Sequence, residues 1–236
     1  MAWLNLLSFG DQGWSDELLQ GAWLSIEISL SAYLIGLVLG LFGAVAKLSK
    51  SVVARSVASA YTTVIRSVPD ILVIFLIYYS ATDALSYVLS MSGLSVQFQL
   101  NGFVAAAISL GVVQGGYSTE ILRGAIVSVA RGQTEAALAV GLTRKQTFLL
   151  VIIPQMLPLA LPGLGNLWLI VLKESSLVSL IGFTELVLVG KMAAGATRNY
   201  LLFYAAIGVV FLVMSGVSSL VFHYFEVKAS HAWRRK

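Results

Sequence analysis

The sequence predicts an all-α membrane protein, a bundle of five transmembrane helices with its N-terminus on the periplasmic side and its C-terminus in the cytoplasm. Three observations predict it. Of 236 residues, 58% are hydrophobic and 11% are charged, and the mean hydropathy is +0.88. Soluble domains carry about 25% charged residues, so this chain has too few to cover a water-facing surface. Five apolar stretches are each long enough to cross a hydrocarbon core of about 30 Å, which takes roughly 20 helical residues. Basic residues crowd alternate connections, the pattern that fixes orientation in a membrane.

The remaining composition narrows the classes. The net charge of +4 sits between apolar spans, which assigns it to membrane topology and not to nucleic acid. Cysteine is absent, excluding a disulfide framework, a cysteine–zinc site and a thiol nucleophile. Residues 1–14 lack a positive n-region followed by a small-residue cleavage site, so no removable signal peptide is expected. No period of 20–50 residues marks a repeat array.

Taken in order, residues 1–18 form a periplasmic segment without lysine or arginine, and the first span covers 19–46. The connection after it carries Lys47, Lys50 and Arg55. The second span, 57–80, is interrupted by Arg66 and Pro69-Asp70, and the following connection, 81–101, has no basic residue. The third span, 102–127, leads into a long loop, 128–158, with Arg131, Arg144 and Lys145, and Arg123 at its membrane edge. After the fourth span, 159–181, come only Lys191 and Arg198. The fifth, 200–225, ends in a tail, 226–236, with Lys228, Arg234, Arg235 and Lys236. The strongly basic side is the cytoplasmic one. Residues 19–225 form a single transmembrane domain, with the basic cytoplasmic tail 226–236 following it. Gly36/Gly40 and Gly111/Gly115 stand at helical spacing, which lets helix backbones approach closely.

The loop 128–158 reads as two short helices. Residues 134–140 are mostly strong helix formers. Gly141 follows, suited to the left-handed conformation that ends a helix. Thr143-Arg144-Lys145-Gln146 is a Thr-x-x-Gln capping box opening a second helix. That helix runs through Phe148 and Leu149 toward Pro154, which discourages its continuation.

Glu135-Ala136-Ala137, Gly141 and Val151-Ile152-Ile153-Pro154, at these spacings, resemble the EAA loop of bacterial ABC importer permeases. Upstream, Glu120-Ile121-Leu122-Arg123-Gly124-Ala125-Ile126 and Gly132-Gln133 are similar to the polar amino-acid branch of that family. Arg66-Ser67-Val68-Pro69-Asp70 resembles its Arg-Gly-x-Pro segment, with Ser67 in place of glycine. Lys173-Glu174-Ser175-Ser176-Leu177 resembles its Lys-(Asp/Asn)-(Thr/Ser)-Ser-Leu segment, with Glu174 one methylene longer. Ser25-Ile26-Glu27-Ile28 is also in keeping with the histidine, arginine and opine group.

The resemblance implies a type I importer permease in a bacterial inner membrane. It also implies two ATP-binding subunits, a second permease, identical or related, and a periplasmic amino-acid-binding protein. ATP would be used by the partner: no Gly-x-x-x-x-Gly-Lys-(Ser/Thr) phosphate loop occurs here, and no cofactor is expected in this chain. By the same resemblance, the loop docks in a groove on the ATPase. Glu135 fixes the hairpin geometry, Ala136 and Ala137 permit close approach, and Gly141 and Pro154 delimit the element.

Charges at bilayer depth each cost about 2.5–3.5 kcal/mol and need a partner or a wet cavity. Glu120 and Arg123, three apart on one helix, can pair with each other. Lys173 and Glu174 point about 100° apart, so at least one looks across the bundle or into a cavity. Ser175, Ser176 and Ser179 add hydroxyls. Glu174, with Asp70 or Glu27 as second choices, suits the cationic end of a lysine-, arginine- or histidine-like substrate; a salt bridge to another helix is the alternative. His223 and His231 lie at the cytoplasmic end and in the tail, where neither suits catalysis or a metal site. An ion- or proton-coupled secondary transporter is the competing class, but five spans accommodate inverted repeats poorly and the hairpin stays unexplained. A membrane enzyme lacks a credible nucleophile or base.

Overall fold

The computed structural model describes residues 5–10, 13–91 and 101–234, with the backbone alone at 81–86, 88–90 and 230–234. All regular elements among these are helical. They are α1 (Ser15–Leu48), α2 (Val52–Ser67), α3 (Asp70–Met91), α4 (Gly102–Ser128), α5 (Arg131–Ala139) and α6 (Arg144–Thr147). A π-helical turn (Phe148–Ile152) leads into α7 (Ile153–Glu174) and a 3-10 segment (Ser175–Ile181), followed by α8 (Leu186–Thr197) and α9 (Tyr200–Arg234).

α1 and α4 form the most extensive helix pair. A Cβ added at Gly36 would meet Gln114 Cγ at 2.6 Å, one at Gly40 would meet Ser118 Cβ at 2.4 Å, and one at Gly111 would meet Ile35 Cγ2 at 2.7 Å. The two expected glycine pairs therefore face each other's helix, and hydrogen in place of a side chain sets the interaxial distance. The register (36 with 114, 40 with 118) makes α1 and α4 parallel. α7 runs against them: Tyr33 Oη donates to the Leu164 carbonyl at 3.0 Å, while Ala44, farther along α1, clusters with Met156 and Ala160. α9 runs with α1, since Phe203 stacks edge-on against Trp14 at 6.4 Å and Phe222 lies against Gly165. The central core joins Ile28, Ile65, Ile74, Leu110, Leu167 and Val171 from five helices.

Three continuous helical stretches are long and apolar enough to cross a membrane: Ser15–Leu48, Arg144–Ile181 and Tyr200–Ala229. A fourth is a broken pair, Val52–Ser67 with Asp70–Ser80, bent by 114°. The bend falls at Val68-Pro69, where the expected interruption of the second span lies; proline disfavours helical geometry at the residue before it. α4, at 27 residues, is long enough, but its polar and glycine positions (Gln114, Ser118, Thr119) make it less apolar, and they are buried in the bundle. Only 6% of the most apolar stretch of α9 is buried, so this helix faces lipid or another subunit.

Four expectations need correction. Pro154 does not stop the helix after Thr143: α6, the π turn and α7 run on without a break. Pro154 directly follows the π turn, whose Ile153 N–H bonds back to the Phe148 carbonyl, so the ladder shifts register where the proline N–H is missing; Pro158 and Pro162 also lie within α7. The connection read as 81–101 is helical through Met91, and residues 92–100 lie outside the described residues. The connection after 181 contains α8, a short apolar helix that was too brief to register as a span. The tail read as 226–236 continues α9 to Arg234, and residues 235–236 lie outside the described residues.

Candidate coupling hairpin and polar cluster

The hairpin is built by local chemistry. α5 ends at Ala139 with Val140 as its C-cap, and Gly141 adopts φ +87°. Leu142 N–H donates to the Ala137 carbonyl at 3.1 Å and Gly141 N–H to the Leu138 carbonyl at 3.0 Å. These are the two bonds of a Schellman cap, which satisfy the last carbonyls of the helix. Two residues after Gly141, at Thr143, the capping box forms as its spacing predicts. Gln146 N–H donates to Thr143 Oγ1 at 3.3 Å, and Thr143 N–H donates to Gln146 Oε1 at 2.9 Å. Gln155 Nε2 donates to Gln133 Oε1 at 2.9 Å, tying α5 to the base of α7.

Of the three residues in the EAA segment, only Ala137 is buried, at 6% exposure; Glu135 and Ala136 face outward. Glu135 makes no hydrogen bond or ion pair among the described residues. The hairpin geometry that the resemblance ascribed to it is held instead by Gly141, the capping box and the Gln133–Gln155 bond. Leu138 is 43% and Val140 79% exposed, flanked by exposed Arg131, Arg144 and Lys145. A rigid element with an apolar tip and a basic rim has the character of a docking surface.

A second arrangement lies inside the bundle. Tyr117 of α4 donates its hydroxyl to Asp70 Oδ1, at the start of α3, at 3.1 Å. Glu174, at the end of α7, is an electrostatic neighbour of Asp70, and Arg66 contributes its field at Tyr117. Asp70 and Glu174 thus meet although 104 positions separate them in the sequence, and neither is in an ion pair among the described residues. Among the described residues Glu174 makes no interhelical salt bridge, and its electrostatic neighbour is another carboxyl group. Lys173 is exposed and in no ion pair among the described residues. Ser175, Ser176 and Ser179 donate to the Leu172, Lys173 and Ser176 carbonyls at 2.8, 2.6 and 2.7 Å. Their protons are therefore committed to the helix, and only lone pairs remain for a polar path. Glu27 is half-buried on α1, with no hydrogen bond joining it to this cluster.

Sequence reasoning missed several partners. Arg123 Nη2 pairs with Glu120 Oε2 at 3.1 Å, as the spacing predicts. Lys47, however, assigned to the first connection, also pairs with Glu120 and donates to Thr62 Oγ1 at 2.6 Å, linking α1, α2 and α4. Tyr117 carried no sequence signal beyond its place three residues before Glu120. Glu185 is fully buried. It accepts from Val187 N–H at 2.9 Å and Leu188 N–H at 3.1 Å, capping α8, and from Ser25 Oγ at 3.1 Å. An acidic residue directly before the apolar run Leu186-Val187-Leu188-Val189 was the available signal for that cap.

An all-helical bundle of long apolar helices with an exposed two-helix hairpin is of the class of membrane transport components. The chain belongs to the family of binding-protein-dependent transport system inner membrane components, whose model matches residues 36–231. It is 37% identical over 235 residues to the octopine transport system permease protein OccQ of Rhizobium meliloti, covering 100% of this chain and 99% of that one. It is 38% identical over 223 residues to the histidine/lysine/arginine/ornithine transport system permease protein HisQ of Escherichia coli, covering 94% of this chain and 97% of that one. Among solved structures it resembles the crystal structure of an amino acid ABC transporter with histidines, with TM-score 0.76 and 32% identity, covering 91% and 94% of the two chains.

Proposed function

We propose that this chain is the five-span permease subunit of an ATP-driven importer in a bacterial inner membrane, carrying cationic amino acids or opines. Its N-terminus is periplasmic and its hairpin cytoplasmic. The parallel course of α1, α4 and α9 with α7 opposed supports five crossings, α2 and α3 together supplying the second. Two ATP-binding subunits dock on the hairpin, a second permease completes the path, and a periplasmic protein delivers the ligand. ATP is hydrolysed in the partner, and this chain contributes no catalytic group.

The observation that carries the reading is the hairpin: Gly141 at φ +87° between two capped helices, presented at the surface. A stiff lever transmits displacement that a loose loop would absorb. Glu135, Ala136, Ala137 and Gly141 form the coupling surface, with Pro154 at the root of the lever. For the substrate, Asp70 and Glu174 offer two carboxyl groups with no cation in an ion pair between them, an arrangement suited to a guanidinium or ammonium group. Glu27, Lys173, Ser175 and Ser176 flank the path. Names of relatives that carry octopine or histidine, lysine, arginine and ornithine support this ligand class.

The test is Gly141→Val in the complete transporter reconstituted in vesicles. Nothing lies within 4 Å of a Cβ at this position, so the side chain acts only through the backbone. Insertion and assembly should persist while ligand-dependent uptake is lost and ATPase activity no longer responds to the binding protein. Wild-type coupling would overturn the assignment.

A further inference from the structure

The turn between α1 and α2 sits beside an unfilled apolar groove. Its volume is about 510 Å3, and it is lined by Leu39, Phe42 and Ala46 of α1 and Val57, Ala58 and Tyr61 of α2, among others. Of its lining residues, Ala46 and Ala54 lie nearest the turn at Ser49–Ser51, and Leu39 and Tyr61 farthest from it. Tyr61 cannot offer a polar contact there, since its hydroxyl donates to the Val112 carbonyl at 2.5 Å. The groove walls are therefore apolar throughout.

The turn-side end is different. Lys50 lies in the turn and Arg55 in the first turn of α2; both are exposed and neither is in an ion pair among the described residues. The third cation of the region, Lys47, is already engaged by Glu120 and Thr62. Ser51 caps α2 by accepting from Ala54 N–H at 3.3 Å, so the positive end of the helix dipole points at the same place. An open apolar groove whose turn-side end neighbours two cations in no ion pair among the described residues fits a molecule with an apolar chain and an anionic head.

We propose that this groove is a binding site for one anionic phospholipid of the cytoplasmic leaflet, its acyl chain between α1 and α2 and its phosphate between Lys50 and Arg55. A zwitterionic lipid would place a choline or ethanolamine group against the same cations and bind less well. The leaflet rests on the orientation proposed above, but retention of lipid in detergent does not, so the two are separable by experiment. Occupancy wedges α2 against α1, and α2 leads through the Pro69 bend to Asp70; the lipid would therefore brace the helix that places this carboxylate.

Native mass spectrometry of the delipidated full transporter, supplied with equal dioleoyl phosphatidylglycerol and dioleoyl phosphatidylcholine, tests the site. Wild type should retain the glycerol lipid in preference. Lys50→Gln with Arg55→Gln should reduce that preference by about fivefold per cation removed, and Lys50→Arg with Arg55→Lys should keep it. Ala54→Phe, which fills the turn-side end without touching either charge, should lower retention of both lipids. Equal retention of the two lipids by wild type would overturn the proposal, as would an unaltered preference in the glutamine pair. So would a benzophenone attached at Val57→Cys that labels the second permease instead of lipid, since the groove would then hold a protein helix.

Discussion

The coupling hairpin and the α1–α4 seam reach rigidity by opposite routes. In the hairpin, every fixing bond closes within a few residues: Leu142 to Ala137, Gly141 to Leu138, Gln146 to Thr143. In the seam, nothing local holds the helices; Gly36 and Gly40 meet Gln114 and Ser118 from a helix far away in the sequence. Glycine serves both regions for different reasons. At Gly141 it supplies a left-handed backbone with open space around it, and at Gly40 it supplies closeness with an ordinary helical backbone. The difference teaches that a substitution can be read correctly only when the reason for the glycine is known.

Filling the seam should have the largest effect. Gly40→Leu would drive a side chain into Ser118 Cβ at 2.4 Å and its carbonyl carbon at 3.0 Å. Overpacking costs about 1–3 kcal/mol and occasionally more, and this variant belongs at the upper end, seen as a lower melting temperature of the solubilised complex. Gly124→Leu is the contrast, since nothing lies within 4 Å of its Cβ; it should melt like wild type or above it. The Lys47–Glu120 pair comes next. A double-mutant cycle with Lys47→Met and Glu120→Gln should give a coupling of about 0.5–3 kcal/mol, and additivity would mean that the pair does not join α1 to α4.

At the hairpin, Gly141→Val should cost about 1–2 kcal/mol of local conformational energy and abolish uptake. Gly141→Asn, whose short amide tolerates the left-handed region, should retain much of it. Equal activity of the two would place the glycine requirement elsewhere. The smallest effect is expected at Glu174→Gln, because the side chain is partly exposed: arginine uptake relative to a neutral amino acid should fall by an amount on the order of 1 kcal/mol. An unchanged ratio removes Glu174 from ligand recognition.

The same division explains what the sequence revealed. Gly141, Thr143 and Gln146 were legible because turn and cap chemistry is written in adjacent letters. The glycine pairs were legible as spacing, but the helix each one faces was not. Lys47 was assigned to a connection because its partner Glu120 is 73 positions away. Asp70, Tyr117 and Glu174 were recognised, if at all, as separate charges needing partners, and their meeting depends on tertiary packing. Pro154 was misread because proline only disfavours a helix and does not forbid it: the π turn shifts the ladder just before it, and Pro158 and Pro162 are carried inside α7 as well. α8 escaped because its 12 residues are too few to span and its cap is a glutamate.

In the proposed assignment the hairpin faces the cell interior and docks on an ATP-using partner. The chain contains no cysteine, so Val140→Cys, at a position 79% exposed on the tip, gives a single reporter. A membrane-impermeant maleimide should label it in inside-out vesicles and not in right-side-out ones, and the ATPase subunit should protect it. Labelling from the outer face, or labelling in inside-out vesicles that the ATPase leaves unaltered, would contradict the account.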